Sequence, residues 1–177
     1  AITAAGGFQL KDAIALVRKR GRYMQEAVPE GAGLMAAILG MERQDVEKTC
    51  HEAAKNGIVA PANYNSPGQI VIAGEKKAVE KAMELARAAG AKKVVPLAVS
   101  VPSHCAMMGQ AGERLAKELE KITIKDLRIP IVNNAEAKFL RSPGELRSSL
   151  VKQISYPHFW EDSSNAMAAE GFDTFIE

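Results

Sequence analysis

Apolar residues recur at Leu10, Ala13, Ile14, Val17 and Met24, the spacing of one helix face, with Lys11, Arg18, Lys19 and Arg22 outside it. This predicts a helix from Gln9 to Met24, after which Pro29, Gly31 and Gly33 break the rhythm. Gly33 to Gly40 is a short apolar run bounded by glycines, which predicts a buried strand. Glu42 to Lys55 returns to helical spacing on Val46, Cys50, Ala53 and Ala54, and Ile58 to Tyr64 predicts a second strand. Asn65-Ser66-Pro67-Gly68 is a turn, followed by a third strand, rich in Ile and Val, from Gln69 to Ala73. Lys76 to Ala89 predicts a helix on Val79, Ala82, Met83 and Ala86, stopped by Gly90, and Lys92 to Ser100 a fourth strand.

The order over Gly33–Ser100 is β-α-β-β-α-β, the ferredoxin-like arrangement of two helices on one face of a four-stranded antiparallel sheet. Beyond it, Cys105 to Lys121 predicts a helix with Met108, Ala111, Leu115 and Leu119 on one face. A strand follows at Arg128 to Val132, and then a helix capped by Ser142 with Pro143 in its first turn, running through Leu146, Leu150 and Ile154. Trp160 to Ala169 predicts another helix stopped by Gly171, and Asp173 to Ile176 the start of a strand. Alternating helix and strand is the α/β signature. The pattern thus predicts a small insert, residues 31–100, interrupting a larger α/β domain built from 1–30 and 101–177, with the chain itself a piece of a longer protein.

Composition narrows the function classes. The chain has 177 residues, 47% hydrophobic and 25% charged, which is ordinary for a globular protein and argues against disorder. A net charge of +2 with 5% aromatic residues lacks the dense basic stripe of a nucleic-acid binder. No apolar run approaches the length of a membrane helix. Neither a basic head nor a long apolar stretch marks a signal peptide at Ala1–Gly7. The two cysteines, Cys50 and Cys105, form no CxxC or disulfide framework, so a reducing compartment, the cytoplasm or a plastid, is expected.

Three histidines are available for chemistry. His51 falls in a helix beside Glu52 and reads as solvated. His104 sits in Val-Ser-Val-Pro-Ser-His-Cys, where a strand gives way to a helix, and strand ends of α/β sheets are where catalytic groups collect. It is a candidate general base, the alternative being a capping or buried structural histidine. Cys105, adjacent to it at a helix start, is either a nucleophile or a small core residue. Arg20 is either solvated or a guanidinium fork for a carboxylate. Asn63 and Asn65 flank the Pro-Gly turn as turn formers. Lys92 and Lys93, near Lys76, Lys77 and Lys81, are a solvated face or a docking spot for an acidic partner. No metal cluster, phosphate loop or Ser-His-Asp pattern is legible, so no bound cofactor or metal is expected.

Four motifs occur in register: Arg20-Gly21-Arg22-Tyr23-Met24-Gln25; Ala62-Asn63-Tyr64-Asn65-Ser66-Pro67-Gly68-Gln69; Val99-Ser100-Val101-Pro102-Ser103-His104; and Val151-Lys152-Gln153 followed by Pro157 and Trp160. Over essentially its whole length the chain resembles the malonyl-CoA:acyl carrier protein transacylase family of bacterial or plastid fatty acid synthesis. The resemblance implies an α/β-hydrolase-like core around the ferredoxin-like unit. It also implies malonyl transfer from malonyl-CoA to the phosphopantetheine thiol of acyl carrier protein through a malonyl-serine intermediate. Carried over by motif, His104 is the base, Gln153 orients it through its backbone carbonyl, and Arg20 grips the malonyl carboxylate. Met24 lines the acyl pocket, Asn63 and Asn65 lie at the cleft, and Lys92 and Lys93 meet the acidic carrier.

The departures are equally specific. No GHSxG nucleophile motif occurs in the 177 residues, so the chain alone is expected to be inactive. Ser103 before His104 accompanies methylmalonyl preference in some large synthases, although malonyl is favoured here. His158 stands where the family usually has a small apolar residue. The competing readings are an acyltransferase domain of a polyketide synthase and a non-enzymatic module that binds a carrier protein.

Overall fold

Residues 1–176 are described by a computed structural model of the chain. Strand β1 (Gly33–Leu39) lies between β3 (Gln69–Glu75) and β4 (Lys93–Pro96), antiparallel to both. On the far side of β3 runs β2 (Val59–Ser66), and outside it β7 (His158–Phe159) adds a short parallel edge. The sheet order is therefore β4-β1-β3-β2-β7. The β2–β3 connection is tight because Pro67 presets one turn residue and Gly68 adopts φ +70°, which a side chain would resist.

Period-2 alternation distributes these strands between two apolar layers. Ala36, Ile38, Ile70 and Ile72 face α2 (Arg43–Ala53) and α3 (Lys76–Ala88), meeting Val46, Cys50, Val79, Ala82 and Met83. Their neighbours Met35, Val71 and Ala73 face the other way, with Ala62, onto Cys105 and Met107. Burial on both faces is why β1 and β3 read as continuous apolar runs rather than alternating ones. A separate core joins α1 (Leu10–Ala27), α4 (Gly109–Leu119) and α5 (Pro143–Ser155) around Leu16, Met108, Leu115, Leu119, Leu146 and Ile154.

The predicted α5 start holds in detail. Ser142 caps the Glu145 amide, and the Glu145 carboxylate accepts from the Ser142 backbone N–H, a reciprocal capping box with Pro143 at the first turn. The helix α6 (Trp160–Ala169) matches the predicted span.

Four expectations need correction. Of the five apolar positions expected on the core face of α1, Ala13 and Met24 pack into the core with α4 and α5, whereas Leu10, Ile14 and Val17 stand 65%, 61% and 66% exposed in this chain. Leu16 and Tyr23 complete the buried stripe, and polar contacts tie the same side of the helix to α4. Lys19 and the Tyr23 hydroxyl both donate to Glu118. The fourth strand ends at Pro96 rather than Ser100, as Leu97 makes its last bond to Met35 and the chain leaves the sheet. The strand at Arg128–Val132 shrinks to β5 (Ile131–Val132), paired with an unanticipated β6 (Phe139–Leu140). Asp173–Ile176 is not a strand, since no ladder partner meets it among the described residues.

The β7 edge is secured by one cluster. Arg43 makes two bonds to Asp162 at 3.1 and 2.7 Å while its guanidinium lies 3.8 Å above the Tyr64 ring. Tyr64 in turn stacks on Phe159 at 5.1 Å and donates to Glu47. A bidentate, stacked arginine is a geometry lysine cannot reproduce.

Two glycines give opposite expectations for the same change. A Cβ at Gly33 would collide with the ring of Pro102, which is fully buried and cannot yield. Gly21 lies within α1 with open space around it. Gly33→Ala is expected to lower the urea midpoint by the equivalent of about 1–3 kcal/mol. Gly21→Ala is expected to raise stability by up to about 1 kcal/mol. Equal midpoints for the two variants would contradict the packing of Pro102 on β1.

Candidate active site

The site begins at a turn that sequence marks with a proline. Pro102 packs on Gly33 of β1, the Ser103 amide bonds back to Val101, and the backbone of His104 takes φ +61°. A non-glycine residue in the left-handed region is uncommon and is held by its surroundings. Here the holding groups are two carbonyls in the last turn of α5, which have no partner within the helix. The His104 backbone N–H donates to Ile154 O at 3.2 Å, and its ring Nδ1 lies 2.7 Å from Gln153 O. A carbonyl only accepts, so Nδ1 carries the proton and Nε2 keeps its lone pair. Burial pushes the His104 pKa below its ordinary value, the Gln153 carbonyl opposes this, and the charge of Arg20 adds to the lowering. His104 is thus neutral near pH 7, with a basic nitrogen available.

A cavity of about 470 Å³ receives this ring. Arg20, Gln153 and His158 line it together with His104. Arg20 projects from the middle of α1 and is half-buried, which lowers its pKa by desolvation. Among the described residues no carboxylate pairs with it, whereas Arg43 and Arg114 have Asp162 and Glu26. Apolar walls come from Phe8, Leu16, Leu115, Leu140 and Leu146.

His158 reaches the same cavity through the β2–β7 pair. Asn63 and His158 are register partners, and the Asn63 Nδ2 lies 3.3 Å from His158 Nδ1. The two imidazoles stack with centroids 5.8 Å apart and planes 29° off parallel. Burial, and then the neighbouring His104, push the His158 pKa down. Sequence reasoning left His158 without a role because β7 is two residues long and has no periodicity. The available signal was a polar pair, Asn63 and His158, in segments otherwise built for a sheet.

Other predicted site residues lie elsewhere. Met24, one helical turn beyond Arg20, is buried in the α1–α4–α5 core and does not line the cavity. Ser103 and Asn65 are half-buried but are not on the cavity wall, and Asn65 falls at an irregularity in the β2–β3 pairing. Lys92 and Lys93 are exposed at the β4 edge, the opposite side of the sheet from His158. His51 is exposed. Cys105 is a core residue: its thiol donates to Pro102 O, and burial raises its pKa to about 11, so the nucleophile reading fails. Among the described residues no group of His, Cys, Asp and Glu could hold a metal, and no helix is long and apolar enough to cross a membrane.

The acyl transferase domain family matches residues 1–177. The chain belongs to that family. Among curated members, the malonyl CoA-acyl carrier protein transacylase of Escherichia coli K12 is 49% identical over 177 residues, covering all of this chain and 57% of that protein. An acyl carrier protein S-malonyltransferase from Vibrio cholerae superposes with a TM-score of 0.96 at 44% identity, covering 98% of this chain and 56% of that one. A malonyl-transacylase solved in complex with its type II PKS acyl-carrier protein gives 0.95 at 47% identity, over 97% and 55%. The chain therefore spans little more than half the length of the acyl transferases it matches.

The two depressed histidines make stability depend on pH with a definite sign. Unfolded imidazoles take up protons near their ordinary pKa of about 6.5 before the folded ones do, so stability falls as pH drops through that range. Urea midpoints are expected to decline from about pH 7.5 to 5.5, and to decline less in His158→Val. Glu118, held to a pKa of about 2 first by its hydrogen bond from Lys19, loses its contribution only at lower pH. A midpoint that rises on acidification through pH 6.5 would contradict the burial of both rings.

Proposed function

We propose that the chain forms the substrate-gripping and base-bearing part of a [acyl-carrier-protein] S-malonyltransferase of fatty acid synthesis. In this reading, a longer protein contributes the nucleophilic serine, which these 177 residues lack. One observation carries the proposal: a half-buried guanidinium that has no carboxylate partner among the described residues lines the same cavity as a neutral histidine whose Nε2 keeps its lone pair.

That pairing fits a carboxylated acyl thioester. Arg20 takes the malonyl carboxylate in two parallel hydrogen bonds, satisfying a charge that otherwise sits desolvated. An acetyl group leaves it unpaired, which is costly in a partly buried site. His104 Nε2 removes the serine hydroxyl proton as the oxygen attacks the thioester carbonyl, and the proton then leaves with the departing coenzyme A thiol. In the second half, His104 activates the phosphopantetheine thiol of acyl carrier protein in the same way and the serine is regenerated. The Gln153 carbonyl, part of the negative end of α5, holds the ring and favours the transient imidazolium. Nothing in this sequence of steps calls for a metal or bound cofactor.

The fold reading that accompanies this is a partial α/β-hydrolase-like core, residues 1–30 and 101–177, around a ferredoxin-like unit at 31–100. The antiparallel order β4-β1-β3-β2 supports the second half of it. Lys92 and Lys93, exposed beside Lys76 and Lys77, form a basic face suited to an acidic carrier. The relative solved with its acyl-carrier protein favours a carrier partner, and its polyketide setting is the reason to retain a polyketide-synthase acyltransferase as the second reading. The buried free thiols of Cys50 and Cys105 suit a reducing compartment, cytoplasm or plastid.

The test uses the longer protein. Arg20→Ala is expected to lower kcat/KM for malonyl-CoA by roughly 10–100-fold while acetyl-CoA transfer changes little. His104→Ala is expected to slow acyl-enzyme formation by about 100-fold or more with substrate binding largely kept. If malonyl and acetyl rates fall by one factor in Arg20→Ala, the carboxylate clamp is wrong.

A further inference from the structure

We propose that His158 is a second substrate-contacting residue of this cleft: a neutral imidazole that donates its Nε2–H to the carboxylate of the acyl group beside Arg20, with Asn63 as the positioning residue that fixes its tautomer. The inference rests on the acyl-transfer reading and deepens it.

The chemistry follows from which partner each ring has. The Asn63 amide nitrogen can only donate, so the His158 Nδ1 facing it at 3.3 Å must accept, and the ring proton is placed on Nε2. At His104 the partner is a carbonyl that can only accept, which places the proton on Nδ1 instead. Two imidazoles stacked in one cavity therefore present opposite faces of the same chemistry, a lone pair from His104 and an N–H from His158. No hydrogen bond joins the two rings, and among the described residues the His158 Nε2 has no protein partner. It is not a sealed, orphaned donor either, since among the described residues every fully buried side-chain polar atom is satisfied. An N–H without a protein partner, on the wall of the cavity that also holds a guanidinium with no carboxylate among the described residues, is a donor suited to an anion drawn in by Arg20. A neutral donor adds hydrogen-bond geometry to the Arg20 charge without placing a second cation beside His104, which must stay able to accept a proton.

The position of the ring is fixed from behind. His158 opens β7, whose next residue, Phe159, is stacked on Tyr64, and Arg43 clamps that stack to Asp162. The parallel register then sets Asn63 directly opposite His158.

Two measurements test this. In the 177-residue chain, three histidines make long-range proton–nitrogen spectra simple to assign. His158 is expected to be protonated at Nε2 and His104 at Nδ1. Asn63→Ala should abolish the His158 preference and leave that of His104 intact, and adding malonate, but not the uncharged malonamide or chloride at matched ionic strength, should shift the His158 Nε2–H in wild type and not in Arg20→Ala. In the longer protein, His158→Val should lower kcat/KM for malonyl-CoA by about tenfold or more and leave acetyl-CoA within about threefold, with His158→Gln restoring most of the loss. His158 protonated at Nδ1, a His158 signal indifferent to malonate, or equal losses on both acyl groups would each overturn the proposal. If the longer protein moves no malonyl group at all, the acyl-transfer reading fails, and the malonate titration of this chain still decides His158.

Discussion

The whole site depends on two carbonyl groups at the end of α5. Helix ends leave carbonyls without internal partners, and here Gln153 and Ile154 take theirs from one residue, His104. One bond fixes the backbone in a left-handed conformation, and the other fixes the ring and its tautomer. Neither would serve if α5 slid along its axis. The helix is accordingly pinned at its start by the Ser142–Glu145 box and on its side by Arg147, which donates to the Leu119 and Ile122 carbonyls. Pro102 against Gly33 does the same for the turn itself, so His104 is held between a helix end and a strand of the other layer.

That arrangement explains why the five-stranded sheet has apolar residues on both faces. One face packs on α2 and α3, and the other seats Cys105 and Met107, just beyond His104 in the chain. The histidine is therefore anchored to both cores at once. Its lowered basicity comes from the same burial, reinforced by Arg20, and keeps it neutral near pH 7, the state the proposed base role requires. Electrostatics and packing here are two consequences of one placement.

Much of this was legible in the residues. Apolar spacing located α1, α2, α3, α4 and α6 and the strands β1, β2 and β3, and the Ser142-Pro143 pair located the start of α5. His104 stood out at the junction of a strand and a helix, after a proline that pins the turn, whereas Arg20, otherwise readable as a solvated helix residue, took its role from the resemblance of its motif. What escaped was set by distant contacts. The helical wheel of α1 carries apolar residues on more than one side, and packing with α4 and α5 covers Leu16 and Tyr23 while Ile14 and Val17 stay exposed in this chain. Strands β5, β6 and β7 are two residues each, too short for a period. His158 was opaque for that reason: its meaning lies in a register with Asn63, 95 residues away.

The most direct test of the account is a crystal structure of the longer protein trapped with a malonyl group on its serine. The site geometry predicts the malonyl carboxylate on the Arg20 guanidinium in two hydrogen bonds of about 2.7–2.9 Å. It also predicts His104 Nδ1 still on the Gln153 carbonyl, with Nε2 turned to the ester. A carboxylate left in solvent, or an Arg20 paired instead with a carboxylate of the protein itself, would contradict it.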